Sequence, residues 1–245
     1  MNRGWRLIDS GILSPSRSVA VDEALLEGHG HGSTPDIVHF YTRSKPTVSI
    51  GQFQRVAEAV DLEECARRGV AVVRRRSGGG SIFTDGGQLI FAIVTSESVL
   101  GGAPTDAFKA VCGAVAESLR GLGVEAEYRP INDVEVGGRK VSGSAQLRRH
   151  GSVLHHGTVI VDTDLETMDA VLKGAPMRPS ERVARLSDLL HPPPDASQVK
   201  SALADGFRRL FKVEFERSQL TESESAMVDE YVASRYGNDS WNLKL

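Results

Sequence analysis

At 245 residues, 40% apolar and 25% charged, the chain has an ordinary globular composition and is long enough to bury a substantial core. A formal net charge of −3 provides no global basic field, which argues against a nucleic-acid partner. Its two cysteines, Cys65 and Cys112, lack metal-ligand spacing and make no disulfide framework; MNRGWRLIDS has no signal-peptide core and no apolar run reaches membrane-spanning length, so no membrane partner and a cytoplasmic location are expected.

In chain order, the pattern predicts a helix over Ser18–Glu27, then Gly28–Gly32 (GHGHG) as a post-helix loop without a metal role. Strands rich in Val and Ile, bounded by Gly, Pro or Asp, are predicted at Ile37–Tyr41, Thr47–Gly51, Val70–Arg75 and Gln88–Val94. A short helix, Leu62–Arg68, ends at Gly69. A longer helix runs from about Asp106 to Arg120, with Phe108, Val111, Cys112, Val115 and Leu119 on one apolar stripe. Both cysteines therefore read as small buried hydrophobes. Further strands fall at Val124–Tyr128, Val134–Val136, Lys140–Leu147 and Ser152–Val161, with Gly137-Gly138 as a hairpin turn reaching φ > 0.

From about Asp164 to Leu245 the character is mainly helical, with capping boxes at Asp195–Gln198 and Thr221–Glu224 and a bend at Pro192–Pro194. Phe207, Leu210 and Phe211 supply an apolar face. The expectation is an α+β fold of mixed, largely antiparallel sheets flanked by helices, ending in a small helical section rather than an independent domain.

Three segments concentrate chemistry. RRRSGGGSIFTDGG (74–87) puts arginine forks beside backbone that a ligand can approach closely, which suits an anion. Strand alternation separates Arg75 from Arg74 and Arg76, so Arg75 is assigned to the site and the other two to solvent. Neither G-x-x-x-x-G-K-[ST] nor a strand-to-helix G-x-G-x-x-G occurs, which removes the commonest phosphate loops. Asn132-Asp133 with Arg139-Lys140-Val141-Ser142-Gly143-Ser144-Ala145 sets one lysine among small residues, a tight pocket with a point charge. In His155-His156-Gly157-Thr158 the adjacent histidines point to opposite strand faces and make a poor metal pair.

Together these motifs resemble the lipoate–protein ligase A family, a branch of the biotin/lipoate ligase catalytic-domain superfamily. Ile50-Gly51-Gln52-Phe53-Gln54 and Asn238-Asp239-Ser240-Trp241-Asn242 add support, and the resemblance spans essentially the whole chain as a single catalytic domain. It implies that lipoate and Mg2+-ATP form lipoyl-AMP, whose acyl group passes to an acceptor lysine. Lys140 would contact the acyl carboxylate and α-phosphate. Arg75, Ser77, Gly78, Gly79 and Gly80 would line the acyl and phosphate groove, with Ser142, Gly143 and Ala145 close by. Asn132 and Asp133 would serve the ATP side, Asp133 towards Mg2+, and His156, Gly157 and Thr158 would flank the acyl pocket. The implied acceptors are 2-oxoacid dehydrogenase E2 lipoyl domains or the glycine cleavage H protein.

Two departures stand out. Thr84 replaces a frequent histidine before Asp85, and Gly86-Gly87-Gln88 replaces a usual Leu-Gly-Asn. The chain also ends where many relatives continue into an accessory domain, so a separate accessory subunit is expected for activation. The rival within the fold is a cysteine-dependent octanoyltransferase drawing on acyl carrier protein. Its cysteine would precede the lysine motif, where this chain has Tyr128-Arg129-Pro130-Ile131-Asn132. A biotin ligase and a non-catalytic binding module are the remaining readings.

Overall fold

The computed structural model describes residues 4–174 and 176–245; Met1–Arg3 of the N-terminal stretch and Ala175 lie outside the described residues. The chain runs β1 (Trp5–Leu13), α1 (Pro15–Gly30), β2 (Ile37–Arg43), β3 (Thr47–Ile50), α2 (Val56–Ala59), α3 (Leu62–Arg68), β4 (Ala71–Arg74), β5 (Ile82–Thr84) and β6 (Gln88–Ser96). It continues through α4 (Pro104–Gly121), β7 (Ala126–Arg129), β8 (Asp133–Val136), β9 (Arg139–Arg149) and β10 (Ser152–Ile160). Then follow α5 (Leu165–Val171), α6 (Pro179–Arg182), α7 (Leu186–Leu189), α8 (Ala196–Phe211) and β11 (Phe215–Ser218). The chain closes with α9 (Glu222–Tyr231), a π turn over Val232–Tyr236 and α10 (Asp239–Asn242).

Eight strands form one sheet in the order β11-β1-β2-β6-β10-β9-β8-β7, and three form another, β4-β3-β5. β1 runs parallel to β2 and β11, and β3 parallel to β4, while the other pairings are antiparallel. This is the expected mixed, antiparallel-dominated α+β fold. Central β6 explains its own unbroken apolar sequence: Leu89, Phe91 and Ile93 join the core that includes α4 and α8 residues, while Ile90, Ala92 and Val94 join the one beneath α1 and α9. A strand covered on both faces has no need of a polar alternate position. A third cluster, with Val48, Ile50, Cys65, Phe83 and Met168, fills the space under the small sheet. Among the described residues no helix is long and apolar enough to cross a membrane.

The caps follow their chemistry. Asp195 accepts from the Gln198 amide at 2.8 Å and Gln198 Oε1 accepts from the Asp195 amide at 2.9 Å; Thr221 and Glu224 repeat the exchange. The two glycines of the β8–β9 turn have φ of +57° and +75°, as a hairpin of this kind requires.

Several expectations are corrected. α1 begins at Pro15, capped by Ser14, and runs on through Gly28–Gly30, where the sequence suggests a loop. A glycine costs a helix about 1 kcal/mol, and the complete burial of Val21, Ala24 and Leu25 outweighs that. β1 is hidden in sequence by Gly11 and by a register shift between Asp9 and Ile12. β5 has only three residues. β11, Phe-Glu-Arg-Ser at the sheet edge, breaks the otherwise helical run after Asp164 and carries no apolar signature.

Candidate active site

A groove of about 280 Å³ opens between α1, the large sheet, the small sheet and the glycine-rich loop. Val19, Tyr41, Ile82 and Ile90 give it apolar wall; Arg43, Arg75, Lys140 and Arg182 give it positive charge. The volume is near the lower end for a ligand pocket and suits a slim chain with an anionic or carbonyl head. A second cavity of about 410 Å³ adjoins it, sharing Ser81, Ile82, Lys140, Thr158 and Arg182 and adding Asp133.

The arginines fix the glycine loop in place. Arg74, expected in solvent, is fully buried, and its guanidinium donates to the carbonyls of Gly51, Gln52, Gln54 and Lys244. Its backbone is held by the C-terminal segment, with Trp241 Nε1 donating to Arg74 O and Arg74 N donating to Asn242 Oδ1. Arg75 donates to Ser49 O, Gly78 O, Gly80 O and Ser77 Oγ at 2.7–3.0 Å. Burial, with Arg43 nearby, lowers its guanidinium to about 10. With four donations committed to the protein, Arg75 shapes the loop rather than offering a free fork. Close approach demands glycine here: a Cβ on Gly51 would stand 2.1 Å from Gly79 O.

Behind the loop runs a chain of side chains. Arg75 Nε donates to Ser77 Oγ at 3.0 Å, Ser77 Oγ lies 2.8 Å from His156 Nε2, and His156 Nδ1 lies 3.0 Å from Asp22 Oδ2. Tyr41 OH donates to the same Asp22 oxygen at 3.0 Å, and His39 Nδ1 lies 3.6 Å from Oδ1. Burial works to raise the Asp22 carboxyl, but His156 and His39 outweigh it and hold it at about 2. The donors all run one way when His156 is the neutral Nδ1–H tautomer. Ser77 is 1% exposed and does not line the groove, so the array positions His156 rather than presenting a nucleophile.

On the opposite wall Lys140 Nζ pairs with Asp133 Oδ1 at 2.7 Å. A Cβ on Gly143 would fall 2.2 Å from Lys140 Cε and Nζ, so only glycine leaves the ammonium that path. Asn132 Nδ2 donates to Ser144 O at 2.6 Å and locks the loop before β8 to β9. Asp133, expected to face Mg2+ through ATP, pairs with Lys140 and lines the second cavity together with Glu135 and Glu181.

Of the residues expected at the site, Arg75, Gly79, Gly80, Asn132, Lys140, Gly143, Ala145, His156, Gly157 and Thr158 line the groove, and Asp133 the cavity beside it. Ser77 and Gly78, within the loop, do not line the groove. Ser142 pairs with Val134 and Val159, both members of the core that holds the α4 stripe, and so faces away. The histidines divide as alternation demands: His155 is fully buried, with ring centroids 6.4 Å from Phe91 and 5.4 Å from Phe108. Sequence reasoning missed Asp22, Tyr41, Arg43 and Arg182. For Asp22 the available signal was an acidic residue amid the apolar positions of α1.

Neither thiol reaches the groove. Cys112 Sγ contacts Ser144 Oγ at 3.3 Å within the α4-side core, and burial pushes it up to about 11. Cys65, in the small-sheet core, is raised to about 11 by burial and by Asp61 and Glu64.

Comparison with known proteins gives three findings. Residues 14–208 match the family described as lipoyl protein ligase A/B catalytic domain. The chain is 33% identical, over 98% of both sequences, to octanoyltransferase LipM of Geobacillus kaustophilus, and LipM proteins of other bacteria match similarly. Among solved structures, a lipoate-protein ligase A bound with ATP superposes with a TM-score of 0.89 at 31% identity, covering 98% of this chain and 99% of that one. The bi-partite lipoate protein ligase of Thermoplasma acidophilum, studied with its E2 lipoyl domain, gives 0.86 at 31% identity over 99% and 97%. The expected main activity, ATP-dependent lipoate activation, is corrected by the full-length similarity to octanoyltransferases, which stands in the sequence reading only as the rival.

Proposed function

Since the chain belongs to the lipoyl protein ligase A/B catalytic-domain family, we propose that it transfers an octanoyl-class acyl group from a thioester donor to a lysine of a lipoyl-acceptor protein. The observation that carries this is end-to-end similarity to octanoyltransferases, with a groove of about 280 Å³ that Lys140 lines beside an apolar wall. The chain would lie along Val19, Tyr41, Ile82 and Ile90, with its carbonyl near Lys140. The acceptor amine attacks that carbonyl: a C–N bond forms, the C–S bond breaks, and the departing thiolate takes the amine's proton. The Lys140 ammonium stabilises the oxyanion between those events.

Transfer is direct in this reading. A thioester is already activated, so neither ATP nor a separate activating subunit is required. A covalent relay needs an accessible low-pKa thiol, and both thiols here are buried and raised. The acceptor class follows from the family and from the E2 lipoyl domain that accompanies the Thermoplasma ligase.

The test is a mass measurement on a lipoyl-domain acceptor, given octanoyl thioester on acyl carrier protein without ATP, or free octanoate or lipoate with Mg2+-ATP. One added octanoyl group in the first arm is expected. Modification confined to the ATP arm would overturn the reading.

A further inference from the structure

Where α1 ends, three ligating side chains gather that line neither cavity of the site. Glu27 and His31 are four residues apart, which places them on one side of the helix. His150 comes from the turn between β9 and β10. One ligand atom from each lies within 4.8 Å of the others. Glu27 is buried, and its Oε1 takes the Arg149 guanidinium, while Oε2 lies 3.7 Å from His150 Nε2. The His31 and His150 rings are 5.5 Å apart, centroid to centroid.

Two features hold this arrangement. His150 has a left-handed φ of +51°, an uncommon conformation for a residue with a side chain. Gly30 makes room for it, since a Cβ there would stand 3.0 Å from His150 Cβ. The helix adds its own field: α1 ends with His31 as its C-cap, and the negative end of the helix dipole favours a cation there.

We propose that Glu27, His31 and His150 form a transition-metal site of the Zn2+ class. Two imidazoles and a carboxylate oxygen suit Zn2+, Co2+ or Ni2+ rather than Mg2+ or Ca2+, which prefer all-oxygen shells. Bonds of about 2.0–2.1 Å require the ligand atoms to draw together, and the two exposed histidine rings are free to turn inward. Arg149 remains on Oε1 and Oε2 serves the metal. The bound ion ties α1 to the β9–β10 hairpin. α1 carries Asp22 and β10 carries His156, so the site braces the two elements whose contact positions the groove histidine.

Titration of the untagged, chelator-treated full chain at pH 7.5 with Zn2+ and Co2+ tests this. One equivalent should bind, the melting temperature should rise with Zn2+ but not with Mg2+, and Co2+ should develop visible absorption. His31→Ala and His150→Ala should each weaken Zn2+ binding roughly tenfold or more and leave transfer in chelator unchanged, while Lys140→Ala binds Zn2+ normally. No Zn2+ binding by the native chain, or undiminished binding by the double histidine variant, overturns the proposal.

Discussion

His156 Nδ1 lies 3.0 Å from Asp22 Oδ2, and this contact joins α1 to β10 at the wall of the groove. Asp22 is fully buried and ionised, so its charge is worth keeping only while His156, Tyr41 and His39 surround it. Asp22→Asn should lower transfer at least several-fold and reduce stability by about 1.5–3 kcal/mol, the worth of a hydrogen bond to a charged group. Urea unfolding measures the second effect. His156→Gln should lower kcat without an equal loss of stability. If both variants keep native turnover, the contact has no part in positioning the site.

Lys140 can be tested by two routes. Lys140→Ala removes the ammonium, and a loss of about 10²–10³ in kcat is expected for an oxyanion partner. Gly143→Ala leaves the lysine in place but puts a Cβ 2.2 Å from its terminal atoms, pushing the flexible end aside. Its kcat should fall in the same direction with an unchanged melting temperature. Native kcat in Gly143→Ala would mean that the placement of Lys140 seen here is not the one used.

How much of this is legible in the sequence depends on whether a feature is local. The β6 run, the α4 stripe, the two capping boxes and the Gly137-Gly138 turn are set by neighbours in sequence, and there sequence and structure agree. The opposite facing of His155 and His156 follows from strand geometry alone. Arg74 escapes such reasoning because its burial depends on partners far along the chain, Trp241, Asn242 and Lys244, while Arg75 joins nearby loop carbonyls to Ser49, 26 residues away. Asp22 is missed for the same reason, since its partner His156 lies 134 residues away. Alternation with Gly143 and Ala145 is enough to turn Ser142 away; what nothing in the sequence marks is the register shift on β8–β9 that brings Lys140 onto their face.

The cysteines separate direct transfer from a covalent relay. With both thiols buried and raised to about 11, the double variant Cys65→Ser, Cys112→Ser should retain transfer within about twofold, at a stability cost of about 1–3 kcal/mol for the new buried hydroxyls. Trapping octanoyl-enzyme by acid quench should give no covalent adduct. An adduct on Cys112, or loss of activity in a folded Cys112→Ser protein, would establish a relay through the α4-side core instead.

His155 makes stability depend on pH. It is fully buried between Phe91 and Phe108, and burial, with His156 adding to it, lowers its imidazole from 6.5 to about 3. Its Nε2 has no hydrogen-bond partner among the described residues. Below 6.5 the unfolded chain takes up this proton and the folded chain does not, so stability falls as pH drops from 6.5 towards 3. Each pH unit in that window costs about 1.4 kcal/mol, or on the order of 2–3 kcal/mol between roughly pH 6.5 and 4.5. Asp22 acts in the same direction, but only below its ordinary 3.8. His155→Phe should fit between the two aromatic rings, match or exceed native stability at about pH 7.5, and lose most of the decline between roughly pH 6.5 and 4.5. Urea midpoints across that range decide it: parallel curves for the native chain and His155→Phe would mean that His155 is not the group that titrates.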